Sequence, residues 1–100
     1  MCAINGFTWE DKEKISLMNS ATKSRGPDHS GVFIDGISLG HNRLSIIDLD
    51  NRSDQPSRSP DGRYTLIYNG ELYNFKDLKK SISYDFKTTS DTEVVLAAFL

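Results

Sequence analysis

Cysteine is almost missing from this chain: its 100 residues contain one, Cys2, which excludes an internal disulfide. The only other soft metal ligands are His29 and His41, with no paired Cys and no His-x-x-x-His spacing, and this argues against a structural zinc site. No sign of charge dominates, since 12 Lys and Arg stand against 14 Asp and Glu for a net charge of -2. Nothing electrostatic therefore calls for nucleic acid or an anionic membrane as partner. Long hydrophobic runs are absent as well, and the opening Met-Cys-Ala-Ile-Asn-Gly has neither the basic nor the apolar region of a secretory leader. A reducing cytoplasm is the expected setting. With 37% hydrophobic and 26% charged residues, the class is soluble and globular, one domain or a piece of one.

What is present begins with the position of that cysteine. Removal of the initiator methionine, favoured by a small second residue, leaves Cys2 with a nucleophilic sulfur and an α-amine whose ordinary pKa is about 7.7–8.0. Nucleophile and general base then sit on one residue. A lone cysteine is more often a small buried hydrophobe, so the polar clusters downstream have to decide between the two.

Residues 3–8 read as a strand holding Cys2 at its start. Residues 9–22 read as an amphipathic helix with Glu10, Asp11 and Glu13 early and Ile15, Met18 and Thr22 on one stripe. The loop Arg25-Gly26-Pro27-Asp28-His29-Ser30-Gly31 is either a plain connection or a set of side chains that orders the surroundings of Cys2. Asp35-Gly36 between two apolar triplets predicts a hairpin with a type I′ turn. Along 41–46, alternation sends His41, Arg43 and Ser45 to one side and Leu44 and Ile46 to the other, and Arg43 offers a bidentate clamp for a carboxylate. Residues 50–62 form a long loop of turn-formers, a flap or an ordinary surface connection.

Residues 63–68 predict a strand that runs into Asn69-Gly70-Glu71. An Asn amide beside a Gly N–H offers two donors that converge on a developing oxyanion. Asn-Gly is also a hairpin dipeptide, but Phe75, Leu78 and Ile82 follow at helical spacing, so the corner joins strand to helix. Residues 84–87 suggest a short strand, and Asp91 is a candidate N-cap for a last helix. That helix closes on Val95, Leu96, Phe99 and Leu100 without a stop signal, as expected of a fragment or of a face that something else covers.

Five ordered blocks then make the sequence similar to the glutaminase domain of the glutamine-dependent asparagine synthetase family. They are Met1-Cys2-Ala3-Ile4, Arg25-Gly26-Pro27-Asp28 with Gly31, the run from His41 through Asp48, Gln55-Pro56, and Asn69 through Asn74 followed by Ser90-Asp91-Thr92-Glu93. The Arg-Gly-Pro-Asp and Arg-Leu-Ser-Ile-Ile-Asp blocks separate it from the sugar-amidating and phosphoribosyl branches. Ala3 stands where the family usually has Gly, and Ser57 where a larger apolar residue is common.

The resemblance implies a class II glutamine amidotransferase of α+β class, with the N-terminal-nucleophile hydrolase αββα sandwich of antiparallel sheets. Residues 1–100 would be its N-terminal part, with later strands missing. It implies Cys2 as nucleophile with its own amine as base, and Asn69 and Gly70 as oxyanion hole. Arg43 would hold the α-carboxylate of glutamine and Asp91 its α-ammonium, with Leu44, Ser45, Ile46, Ile47 and Glu71 lining the pocket. Ammonia would pass to a synthetase domain using ATP and Mg2+, of which this chain shows no Gly-x-x-x-x-Gly-Lys or Ser-Gly-Gly loop, so no cofactor is expected here. Glutamine is the implied small-molecule partner, and the family is compatible with a homodimer. Two other readings stand beside it: a catalytically inactive glutamine-binding fragment, and an ordinary Cys2–His41 dyad.

Overall fold

A computed structural model describes residues 2–45 and 53–100. Its elements in order are strand β1 (Ala3–Phe7), helix α1 (Lys12–Ala21), a 3-10 turn (Lys23–Arg25), β2 (His29–Ile34), β3 (Ser38–Arg43), β4 (Ser57–Arg58), β5 (Thr65–Leu66), α2 (Phe75–Ser81) and α3 (Asp91–Phe99). The class is α+β with antiparallel sheets: one of three strands in the order β1-β3-β2, the other the β4–β5 pair. Among the described residues no helix is long and apolar enough to cross a membrane.

β3 is the centre. Ala3 pairs with Asn42 on one side of it and His29 with Arg43 on the other, and both of its faces are covered, so Ser38, His41, Asn42 and Arg43 are all buried. α1 covers the first face. Asp11 caps it by accepting the Lys14 N–H at 2.9 Å, which starts the helix three residues later than the acidic stretch alone suggests. Of the expected apolar stripe only Ile15 is fully buried, and Leu17 faces solvent.

The rest of the α1 interface is polar. The Asn42 amide donates to the Asn19 carbonyl at 2.7 Å and to the Thr22 hydroxyl at 2.8 Å. Asn5 donates to the Asn19 side chain at 3.0 Å, and Asn19 donates to the Gly31 carbonyl at 3.0 Å. Buried amides joined in this way fix the register of helix on sheet.

The second face of β3 is covered near Gly31 and His41 by the segment after residue 52. A methyl group at Gly31 would lie 2.1 Å from the Gln55 carbonyl oxygen, so only glycine allows this approach.

Several local expectations change. The β2–β3 hairpin forms, but Ile34 pairs with Ser38, which leaves a three-residue loop; Gly36 alone is left-handed there, at φ 71°, and a type I′ turn needs two such residues. The strand expected at 63–68 is regular only over Thr65–Leu66, and the loop expected at 50–62 contains its partner β4, Ser57 facing Leu66. Residues 84–87 form no strand: Tyr84 and Phe86 stack as a tilted pair instead. In the last helix Val94, Leu96 and Ala97 are buried, whereas Phe99 and Leu100 are exposed.

Candidate active site

Cys2 lies one residue before β1, beside the end of β3. Its sulfur accepts the Leu44 N–H at 3.3 Å and lies 3.8 Å from the Leu44 carbonyl oxygen as donor. The Arg25 side chain donates to the Cys2 carbonyl at 3.3 Å, so the Arg-Gly-Pro-Asp loop does order the neighbourhood of the thiol. Asp28 in the same loop receives the Ser45 N–H at 2.7 Å, while its own N–H donates to the Arg43 carbonyl at 2.9 Å. The loop thus bonds to the chain on both sides of Leu44.

A cavity of about 370 Å³ opens in front of Cys2, a size typical of small-molecule sites. Arg43, Leu44, Asn69, Gly70, Glu71 and Asp91 line it together with Cys2. Residues far apart in sequence therefore converge, and all belong to the set proposed from the sequence. Ser45 points its backbone to Asp28 and lies outside the lining. Ile46, Ile47 and Met1 lie outside the described residues.

The charges that line the cavity are of both signs. Arg43 is buried and held through Nη1 by Asp54 at 2.7 Å, and Asp54 also pairs with His29 at 3.2 Å. Asp91 and Glu71 belong to the same lining. Asp91 is the first residue of α3 and not its N-cap: Ser90 caps the helix by accepting the Thr92 N–H at 3.1 Å. The Asp91 carboxylate instead receives the Leu72 N–H at 2.9 Å, which ties α3 to the Asn69–Glu71 corner. One cation and two carboxylates suit the two charged ends of a free α-amino acid.

The corner itself is shaped by Tyr68. A Cβ on Gly70 would meet the Tyr68 ring at 3.0 Å, so the hydroxyl end of the ring packs against the glycine. Burial and the nearby Asp91 and Glu71 carboxylates raise the Tyr68 pKa above its ordinary value, which keeps the phenol neutral. Tyr73 also lines the cavity, and its hydroxyl bonds to Glu71, which raises its pKa.

His41 does not partner the thiol. Its Nε2 lies 3.1 Å from the Tyr68 carbonyl oxygen, an atom that only accepts, so Nε2 carries the proton and Nδ1 is the bare, buried nitrogen. Burial, with Arg43 and His29 nearby, lowers its pKa and keeps it uncharged.

Sequence reasoning missed Gln55, Tyr68, Tyr73 and the hydroxyls of Ser53, Ser90 and Thr92, all in the lining. The Gln55-Pro56 block was visible, but nothing in it announced where the carboxamide points. Among the described residues no group of three or more His, Cys, Asp or Glu is placed to hold a metal.

Residues 1–100 match the family described as a glutamine amidotransferase domain. The chain is 43% identical over 96 residues to asparagine synthetase [glutamine-hydrolyzing] 1 of Bacillus subtilis, covering 92% of this chain and 15% of that protein. It is 36% identical over 108 residues to asparagine synthetase B [glutamine-hydrolyzing] of Escherichia coli, covering 99% of this chain and 19% of that protein. With asparagine synthetase [glutamine-hydrolyzing] 1 of Saccharomyces cerevisiae the identity is 36% over 107 residues, 100% of this chain and 18% of the relative. The chain spans less than a fifth of the length of each of these three curated relatives. The match over residues 1–100 means that the chain belongs to the glutamine amidotransferase domain family, and the three relatives to which it is similar carry the name of glutamine-hydrolysing asparagine synthetases.

Proposed function

We propose that this chain carries the glutamine-hydrolysing half of an amidotransferase reaction and releases ammonia for a synthetase portion outside residues 1–100. Once Met1 is removed, the α-amine of Cys2 takes the thiol proton. The thiolate attacks the side-chain amide carbon of glutamine, and the Asn69 carboxamide and Gly70 N–H hold the oxyanion. The C–N bond then breaks, the departing nitrogen takes the proton from the α-ammonium, and a γ-glutamyl thioester remains. Water adds to the thioester through a second oxyanion, and glutamate leaves with the thiol restored. Arg43 orients the α-carboxylate of glutamine, Asp91 faces its α-ammonium, and Leu44 and Glu71 line the pocket.

The observation that carries this reading is the meeting of Cys2, Arg43, Asn69, Gly70 and Asp91 around one cavity. We further assign residues 1–100 to the N-terminal part of an αββα sandwich, in which the β1-β3-β2 sheet is one layer, and place the protein in the cytoplasm. ATP and Mg2+ belong to the synthetase portion. No step above uses them.

Ammonia release from glutamine, followed with and without the thiol, is the test. Cys2→Ala abolishes it, and retaining Met1 silences it, because the amine is then tied up in a peptide bond. Asn69→Ala loses about 10²–10³ in rate, the usual cost of one oxyanion donor. Undiminished ammonia release from the Cys2→Ala chain would falsify the assignment. Glutamine binding seen by calorimetry without ammonia release would identify a binding module in its place.

A further inference from the structure

Tyr68 stands immediately before the Asn69-Gly70 corner, yet β5 ends at Leu66, so no strand partner holds its backbone. Its peptide groups are held by side chains. The Gln55 Oε1 accepts the Tyr68 N–H at 2.5 Å, and the Gln55 Nε2 donates to the Tyr68 carbonyl at 3.3 Å. One carboxamide thus meets both polar atoms of one residue, as a neighbouring strand would. His41 Nε2 donates to the same carbonyl at 3.1 Å. The Gln55 Nε2 also reaches the Thr92 hydroxyl at 3.4 Å, in the first turn of α3 beside Asp91.

Gln55 is itself immobilised. It is 5% exposed, and its carbonyl is pressed against β2 at Gly31. The chain of contacts therefore runs from the three-stranded sheet through Gln55 to the Tyr68 peptide, whose carbonyl shares a plane with the Asn69 N–H. The Tyr68 ring lies on Gly70, so a shift of Tyr68 moves the neighbouring donor as well.

We propose that Gln55 is a positioning residue for the oxyanion corner: its backbone is seated on the sheet at Gly31, and its carboxamide fixes from there where Asn69 and Gly70 stand relative to Cys2. Gln55 touches no reacting atom in this arrangement. It acts through Tyr68, and the inference rests on the glutaminase reading above.

A role of this kind has a kinetic signature. Interactions made only in the transition state appear in kcat and leave substrate binding largely alone. Gln55→Met keeps the length of the side chain and removes all three bonds. Its kcat for ammonia release falls about 10²-fold, the scale of a misplacement near 1 Å, while KM for glutamine stays within about threefold of the parent.

Alkylation of Cys2 by iodoacetamide supplies the control, because sulfur displaces iodide from carbon and no oxyanion forms; that rate stays within about twofold of the parent. Gln55→Glu is the second variant, for the case in which the methionine variant unfolds and its thiol reacts like that of a denatured chain. It keeps the acceptor for the Tyr68 N–H and loses the donors, and its kcat falls about tenfold or more.

Either folded variant with kcat within threefold of the parent overturns the proposal, as does a loss of kcat matched by an equal loss of alkylation rate, which marks a general structural role. If the parent releases no ammonia, or does so without Cys2, the glutaminase reading itself fails and the inference falls with it.

Discussion

His41 shows how one buried side chain writes a pH dependence into the fold. It is wholly buried, and desolvation, opposed by the bond to the Tyr68 carbonyl and reinforced by His29 and Arg43, lowers its pKa below the histidine value of 6.5. The unfolded chain takes up this proton near the ordinary value, while the folded chain resists it. Stability is therefore complete above about pH 6.5 and declines as pH falls towards the folded pKa, by at most about 1.4 kcal/mol per pH unit from this site. Urea unfolding at pH 7.5 and 5.5 measures this. His41→Gln, which keeps a donor for Tyr68 and cannot titrate, removes this part of the slope; equal slopes in the two proteins would exclude the assignment. The same reasoning explains why His41 makes a poor base for Cys2: burial disfavours the charged imidazolium that taking up a thiol proton would create.

Among the elements, α3 has the most consequential start. Ser90 caps it through the Thr92 N–H, and this places Asp91 where the Leu72 N–H reaches its carboxylate. Ser90→Ala costs about 1 kcal/mol, within the usual range for a lost cap, and Ser90→Asp recovers most of it. Thermal or denaturant midpoints of the three proteins decide the point, and an alanine variant as stable as the parent would remove the cap from the account.

The elements were legible in the sequence wherever the signal was local: β1, the hairpin at Asp35-Gly36, the helix after Asp11, and the strand-to-helix corner at Asn69-Gly70. Motif resemblance likewise named seven residues that the cavity brings together. The contacts of Asn19, Asn42 and Gln55 left no such trace. Hydrogen bonds between an amide and a group 12 to 37 residues away have no period, and a polar residue reads as a surface residue until its partner is known. The shortness of β5 has the same origin, since Gln55 takes over at Tyr68 the pairing that a strand would have supplied.

At the level of the whole molecule, the buried apolar residues among those described fall into two groups. Ala3 and Ile15 lie between the three-stranded sheet and α1, whereas Val94, Leu96 and Ala97 lie on α3. What joins them is mostly polar: His41, Gln55, Tyr68 and Thr92 bond across the gap. Protection from hydrogen exchange follows burial and the bonding of each backbone group. β3 has a partner on each side and both faces covered, so its amides between Ser38 and Arg43 open only with the whole fold and exchange slowest. α2 has no buried residue and rests against α3 on one side, so its amides open locally and exchange fastest among the helices. Native-state exchange read residue by residue gives the order β3, then α1 and α3, then α2. If α2 proved as protected as β3, the molecule would be one evenly cooperative unit and not a firm sheet carrying a more loosely held helical pair. The cavity lies where these parts meet, with Cys2 and Arg43 on the firm side and Asp91 on the looser one.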